Sequence, residues 1–206
     1  EEAGHERTPE AVGRAWKLEC ATTCTARYSF DLSSAAALTQ DAASVAVRSG
    51  GDVLAPGDAW MLRAEPVDAR VKVALRVDTR DPARPEGEPY RFAAPFPRDE
   101  ASGEYRLVAR DIAALGYTMW GRFSVLALPA TKGQIDVAVL GGARAADDAT
   151  IARWVTATAH ALDTVYGRFP IDHVLVAVVP SPDSDAVDFG RTVPAGGASI
   201  LMYVGE

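Results

Sequence analysis

The residues from 171 to 206 decide the fold of this chain, and they read IDHVLVAVVPSPDSDAVDFGRTVPAGGASILMYVGE. His173–Val179 is an almost continuous apolar run, which is typical of a strand buried on both faces of a sheet. Pro180–Asp185 interrupts this run with Pro, Ser and Asp, and Ala198–Val204 is a second apolar run. We therefore predict one strand at about 173–179 and another at about 198–204.

The segment before these strands predicts a helix at about 147–167. Asp147 or Asp148 is a suitable N-cap, Gly167 is a suitable C-cap, and Pro170 prevents continuation of the helix. Side chains that suit a buried helix face recur between these caps at helical spacing, namely Ile151, Trp154, Val155, Thr158, Leu162, Val165 and Tyr166. A helix followed by a buried strand indicates α/β packing, so residues 143–206 are predicted to start an α/β domain.

The earlier part of the chain has the period-two pattern of antiparallel β structure. Short alternating segments are separated by turn residues, and the pattern predicts no helix longer than two turns before residue 147. The predicted strands include Thr25–Leu32, Asp58–Ala64, Val71–Asp78, Gly103–Asp111, Tyr117–Leu128 and Gln134–Leu140. Each strand has one apolar face to bury, so we predict a mainly β fold with an N-terminal β-sandwich at 14–142. Residues 1–13 are predicted to be a flexible leader.

Charge and cysteine content limit the classes of function. The formal net charge of −7 argues against nucleic acid as a partner, and no apolar run is long enough for a membrane span. Cys20 and Cys24 are the two cysteines. We favour a local disulfide between them over a zinc half-site or two free thiols. A disulfide indicates an oxidising compartment, so we predict a secreted, periplasmic or cell-envelope protein.

The chemically reactive side chains do not form a recognisable catalytic motif. The histidines are His5, His160 and His173, and there is no H-E-x-x-H, so we predict no metal and no cofactor in this chain. His173 is predicted to bond a nearby backbone group. Ser199 lies in G-G-A-S-I, which departs from the G-x-S-x-G of a nucleophile elbow because position 201 is Leu. A serine-hydrolase triad that joins Ser199 to His160 or His173 is therefore disfavoured.

The order of the parts resembles a known family. Tyr166–Pro170 reads Y-G-R-F-P, a buried strand follows, and Phe189–Ser199 reads F-G-R-T-V-P-A-G-G-A-S. This order resembles the gluzincin metallopeptidases, specifically the glycyl-aminopeptidase-like, PDZ-containing branch. The resemblance implies a β-domain followed by the first part of a thermolysin-like domain. It also implies that the strand at 198–204 is a substrate-side edge strand, which can pair with a peptide as an added strand.

The same resemblance assigns substrate binding to Gly196, Gly197, Ala198 and Ser199. Relatives often carry a Glu near the place where Ala198 and Ser199 stand here, and this sequence has no zinc-binding helix. The resemblance thus implies no catalytic or metal-binding residue in this chain, and zinc only in a longer parent protein.

Two functions follow from these observations. In the first, the chain is the N-terminal part of a zinc metallopeptidase-like, aminopeptidase-like protein and is inactive alone. Its partners would be a peptide or protein substrate and the missing C-terminal catalytic segment. In the second, the chain is a non-catalytic β-sandwich module for binding or interaction.

Overall fold

The computed structural model describes residues 8–20, 23–39, 45–66, 68–80, 86–182 and 184–205. The chain divides into two compact units, Glu1–Asp31 and Leu32–Glu206. No helix in the described part of the chain is long and apolar enough to cross a membrane.

The described residues of the smaller unit include a β-hairpin and a disulfide. Strands β1 (Glu10–Val12) and β2 (Ala15–Lys17) pair antiparallel, so β1 lies inside the segment predicted to be a leader. Cys20 and Cys24 are joined by a disulfide. The predicted strand at Thr25–Leu32 is wrong, because residues 25–31 form no strand and Leu32 begins a helix. Alternation alone does not make a strand when no neighbouring strand supplies the hydrogen bonds.

The larger unit begins with a helix and contains the remaining strands. Its elements are α1 (Leu32–Thr39), β3 (Val47–Ser49), β4 (Asp52–Pro56), β5 (Lys72–Leu75), β6 (Arg91–Ala93), β7 (Tyr105–Val108), β8 (Tyr117–Gly121), β9 (Ser124–Pro129), β10 (Gln134–Val139), α2 (Asp148–Tyr166), β11 (His173–Ser181), β12 (Val187–Val193) and β13 (Ser199–Gly205). The described part of this unit also contains 3-10 helices at Gly57–Ala59 and Ala109–Ala114.

These strands form three sheets, and the predicted mainly β fold class is confirmed. The four-stranded sheet has the order β3-β4-β8-β6, and β5 pairs with β7. The five-stranded sheet has the order β12-β13-β11-β10-β9. Its three central strands are parallel, and its two outer strands run antiparallel to their neighbours. Helix α2 connects β10 to β11, as parallel neighbours require.

The five-stranded sheet is covered differently on its two faces. One face packs against the four-stranded sheet in a core of Val47, Leu54, Ala93, Tyr117, Met119, Phe123, Ala138, Leu140, Leu175, Ala177, Val179 and Leu201. The other face packs against α2 through a core of Ile135, Val137, Val139, Ile151, Ala159, Phe169, Val174, Val176 and Val178. Residues buried on both faces explain why β11 is apolar throughout.

The packing of two sheets face to face extends beyond the boundary predicted near Gly141-Gly142. The second sheet of the pair contains β9 and β10 from the predicted sandwich (14–142) together with β11, β12 and β13 from the predicted α/β segment (143–206). The boundary placed near Gly141-Gly142 therefore falls inside this sheet, between two neighbouring parallel strands. Sequence periodicity does not reveal which strands share a sheet.

Helix α2 lies within one residue of its predicted bounds. The Asp147 carboxylate accepts a hydrogen bond from the Thr150 backbone N–H at 2.7 Å, and this bond caps the helix N-terminus. Gly167 at the C-terminus has a φ of 73°, the left-handed conformation that ends many helices.

Three other strand predictions need correction. The strand predicted at Asp58–Ala64 is wrong, because a 3-10 helix occupies Gly57–Ala59. The long strand predicted at Tyr117–Leu128 is two strands, β8 and β9, which belong to different sheets. β13 is not an edge strand, because it lies between β11 and β12.

Strand β12 is one of the two outer strands of the sheet, and the sequence pattern predicts no strand there. All of its residues except Val193 are exposed, and its sequence VDFGRTV mixes apolar and polar residues. A strand that buries little surface carries a weak periodic signal, whereas the buried β13 carries a strong one. The family resemblance assigns the edge position to the strand at 198–204, whereas in the structure β12 occupies that position.

Candidate functional site

The predicted substrate-binding residues form a tight turn between β12 and β13. Gly196 and Gly197 have φ values of 62° and 93°, which side-chain-bearing residues rarely adopt. The Gly116 backbone N–H donates to the Gly196 carbonyl oxygen at 3.3 Å. A Cβ atom added to Gly196 would lie 2.5 Å from the Ala114 carbonyl oxygen. A Cβ atom added to Gly197 would lie 2.8 Å from the Pro95 carbonyl oxygen. Both glycines are required here, because Gly196 is packed against residues 111–116 and Gly197 against Pro95.

Ser199 is part of the packing below this turn. Its side chain is fully buried, and its Oγ accepts a hydrogen bond from the Tyr117 backbone N–H at 3.1 Å. Ser199 and Leu201 face the four-stranded sheet, since side chains alternate along β13 and Leu201 lies in that core. His160 is exposed on α2, which covers the opposite face. This arrangement gives Ser199 a structural role and separates it from one of the two histidines considered for a serine-hydrolase triad.

The other histidine considered, His173, is held by two partners. Its Nδ1 lies 3.2 Å from the Pro95 carbonyl oxygen, and its Nε2 lies 2.9 Å from Oδ2 of Asp136. The prediction that His173 bonds a backbone group is confirmed. The Asp136 partner has no clear signal in the sequence, because the alternation of QIDVAVL puts Ile135, Val137 and Val139 on the apolar face and Asp136 on the opposite one.

His173 and Asp136 each shift the pKa of the other. The hydrogen bond with Asp136 raises the pKa of His173, against the effect of burial. The hydrogen bond from His173 lowers the pKa of Asp136, and burial again opposes the shift. Both nitrogens of His173 have partners, so the ring is not free to act as a general base.

An apolar groove lies on the α2 side of the five-stranded sheet. It contains a cavity of about 110 Å³, and its wall on the helix includes Trp154, Thr158 and Leu162. Its floor includes Val176, Ile200 and Met202 on β11 and β13. Trp154 is 45% exposed, and Ile200 and Met202 are only partly buried. Helix α2 therefore leaves the β13 side of this sheet face incompletely covered.

The outer edge of the same sheet is formed by β12. Val187 and Phe189 on this strand are 50% and 44% exposed. The ring of Phe189 contacts Tyr203 on β13, with their centroids 5.9 Å apart. A strand at the end of a sheet presents backbone donors and acceptors along one side, and β12 is one of the two outer strands of this sheet.

The side chains of the described residues include no cluster suited to a metal ion. No group of three or more His, Cys, Asp or Glu among them is arranged to hold one.

Comparison with known proteins finds a likeness in structure. No family model and no curated protein matches the sequence. A crystal structure of an aminopeptidase N family protein from Idiomarina loihiensis matches over 78% of this chain, with a TM-score of 0.59 and 14% sequence identity. The matched part is 26% of that protein, so this chain spans about a quarter of its length. The chain therefore has an aminopeptidase-like fold.

Proposed function

We propose that this chain is the N-terminal part of a zinc metallopeptidase-like protein of aminopeptidase type, whose zinc site lies outside these 206 residues. The observation that supports this most strongly is the fold shared with the aminopeptidase N family protein, of which the chain spans only a part. The finer assignment to the glycyl-aminopeptidase-like, PDZ-containing gluzincins rests on the motifs Tyr166–Pro170 and Phe189–Ser199. In such enzymes the zinc activates water for attack on a peptide carbonyl.

The α2 side of the sheet is the proposed docking face for the catalytic segment. Neighbouring strands lie about 4.8 Å apart, so five strands span roughly 19 Å, whereas one helix is about 10 Å wide. One helix therefore covers about half of this face. The remaining half includes Ile200, Met202 and Val204, which are partly buried and apolar. A second helix, supplied by the catalytic segment, would cover them.

The proposed place for a peptide substrate is the edge of β12. The predicted mode of binding, in which a peptide adds to the sheet as a further strand, is retained. The strand that it pairs with is β12 and not β13, because β12 lies at the end of the sheet. The turn Gly196–Ser199 connects these two strands, and its part in substrate binding stays a prediction. The disulfide between Cys20 and Cys24 supports a secreted, periplasmic or cell-envelope location.

The first test is the intact mass and zinc content of the polypeptide purified from its natural source. We expect a longer polypeptide that contains these residues and carries zinc, while the 206-residue protein alone binds no zinc. A native polypeptide of this length without zinc, or stoichiometric zinc on the 206 residues, would contradict the proposal.

The second test measures amide hydrogen exchange of the 206-residue protein with and without tetra-alanine. We expect the peptide to slow exchange in Val187–Val193, because added-strand pairing protects backbone N–H groups. Strand β9 is the other outer strand of the sheet and serves as an internal control whose exchange stays unchanged. N-acetylated tetra-alanine is the second control, since an aminopeptidase-type site favours a free amino terminus. Equal effects on β9 and β12 would contradict peptide binding at β12.

The exposed edge also favours a second candidate, a non-catalytic interaction module. In that case β12 would pair with β12 of a second copy, and its exchange would slow as protein concentration rises without any peptide. Replacing the exposed Phe189 by Lys would weaken such a dimer. The concentration dependence separates the two candidates.

A further inference from the structure

Three segments that are distant in sequence meet at the side chain of His173. The ring lies between Asp136 on β10 and the carbonyl group of Pro95, in the segment that follows β6. The side chains of His173 and Asp136 are only 20% and 23% exposed. The pair is therefore largely screened from water, and its hydrogen bonds are set by the protein.

The partners of His173 determine where its hydrogens are. A carbonyl oxygen only accepts hydrogen bonds, so the contact with Pro95 requires a hydrogen on Nδ1. Ionised Asp136 also only accepts, and its Oδ1 already receives a hydrogen bond from Gln134 Nε2 at 2.5 Å. The contact between Nε2 and Oδ2 therefore requires a second ring hydrogen. An imidazole with hydrogens on both nitrogens is a cation.

The Pro95 carbonyl held by His173 also contacts the glycine turn. A Cβ atom added to Gly197 would lie 2.8 Å from the Pro95 carbonyl oxygen. A Cβ atom added to Gly116 would lie 2.7 Å from Cγ of Pro95 and 2.6 Å from the Gly197 carbonyl oxygen. Pro95 is thus packed between the first residues of β11 and the turn that leads into β13.

We propose that His173 is a proton-dependent clamp, which holds Pro95 against β10 and β11 while protonated and releases the Gly196–Gly197 turn when it loses its proton. A neutral ring has one hydrogen for two acceptors. If the hydrogen stays on Nδ1, the lone pair of Nε2 faces the carboxylate of Asp136. If it stays on Nε2, the contact with Pro95 is lost.

Among the described residues, the other titratable or charged groups near the clamp include Tyr105, Arg98 and the pair of Asp172 with Lys132. Tyr105 on β7 interacts electrostatically with Asp136, and burial is the main cause that raises its pKa. The guanidinium of Arg98 lies 5.7 Å from the centre of the Tyr105 ring. Asp172, the neighbour of His173 in sequence, pairs with Lys132 at 3.5 Å. Asp136 is thus the carboxylate that faces the ring directly.

The direction in which pH changes the stability follows from the raised pKa of His173 and the lowered pKa of Asp136. A histidine whose pKa is raised on folding stabilises the protein below its unfolded pKa of 6.5, and this contribution is lost as the pH rises through the folded pKa. The lowered pKa of Asp136 gives stabilisation above 3.8, which is lost as the pH falls through its folded pKa. The clamp is therefore strongest between about pH 4 and pH 6.5.

The experiment compares the wild-type protein with His173→Asn and with a control, His160→Asn, across pH 5.5–8.5. His160 is exposed on α2, so its replacement leaves the clamp intact. We expect the ratio of the wild-type to the His173→Asn folding constant to fall as the pH rises, by at most about tenfold per pH unit for one proton. His160→Asn should follow the wild type. Parallel pH profiles for wild type and His173→Asn would overturn the proposal.

Two further measurements report on the clamp itself. NMR shifts of the ring nitrogens of His173 should show both nitrogens protonated at pH 5.5, and a ring with one hydrogen at that pH would overturn the proposal. Amide exchange of Gly116 and Tyr117, which bond Gly196 and Ser199, should accelerate above the His173 transition beyond the intrinsic effect of pH. If His173→Asn does not fold, Asp136→Asn provides the test, because it should move the His173 titration to lower pH.

Discussion

The Gly121→Ala variant should be among the least stable single substitutions of this protein, with a loss of about 3 kcal/mol or more in the free energy of unfolding. Gly121 has a φ of 152°, and a Cβ atom added there would lie 2.0 Å from Oδ1 of Asp52. The Asp52 side chain cannot move aside without losing its own partners. It is 3% exposed and accepts hydrogen bonds from the backbone N–H groups of Arg122 and Gly141, each at 2.7 Å.

The hydrogen bond from Gly141 connects the two packed sheets. Asp52 begins β4 in the four-stranded sheet, and Gly141 follows β10 in the five-stranded sheet. Displacing the carboxylate leaves backbone donors without partners in a largely buried place, and each such donor costs about 1–3 kcal/mol. The added strain of a non-glycine residue at this φ acts in the same direction.

Urea unfolding of Gly121→Ala, Asp52→Ala and the double variant measures this effect. Asp52→Ala alone should also lose roughly 3 kcal/mol, since it removes the acceptor of two backbone donors. The two losses should not add, because Gly121→Ala acts mainly through Asp52. Gly51→Ala is the control, since no described atom lies within 4 Å of its added Cβ. Full additivity, or equal losses in Gly121→Ala and Gly51→Ala, would contradict this account.

The second large effect is expected for Gly196→Ala, compared with Gly167→Ala. The two glycines have similar φ values of 62° and 73°, so alanine has the same backbone strain at both, about 1–2 kcal/mol. The two glycines differ in the room that their surroundings leave for an added Cβ atom. The added Cβ at Gly196 would lie 2.5 Å from the Ala114 carbonyl oxygen and 2.8 Å from that of Asp111, whereas no described atom lies within 4 Å of the one at Gly167.

We expect Gly167→Ala to lose about 1 kcal/mol and Gly196→Ala roughly 3 kcal/mol, because overpacking adds about 1–3 kcal/mol to the backbone strain. Denaturant unfolding with a common m-value gives both numbers. Similar losses in the two variants would show that the turn at Gly196 is not held against residues 111–116. The comparison also separates the structural role of this glycine from its predicted role in substrate binding.

The parts of the fold that are visible in the sequence are those with local signals. Helix α2 has a capping carboxylate at Asp147, a C-terminal glycine at Gly167 and a helical apolar period between them. Strand β11 is recognisable because burial on both faces makes it apolar throughout. In both elements the residues that set the structure are close together in the chain.

Strand order and side-chain partners have no such local signal. The sequence of β13 does not show that β12 lies outside it, because pairing joins residues through hydrogen bonds of the backbone, which every residue has. The sheet extends across the predicted boundary near Gly141-Gly142 for the same reason, since β10 pairs with β11 across the whole of α2. The alternating segment 117–128 likewise gives no local sign that the chain leaves one sheet after Gly121 and enters the other.

The chain's own local chemistry thus establishes a mainly β protein, the α2 helix and a buried strand after it, because caps and periodicity act over a few residues. Tertiary packing decides the rest: which strand is the open edge, why Gly196 and Gly197 have no side chain, and why His173 is held as a cation. These properties depend on partners that are distant in the chain. His173, for example, has its partners Asp136 and Pro95 at separations of 37 and 78 residues. Only the folded structure brings such partners within hydrogen-bonding distance.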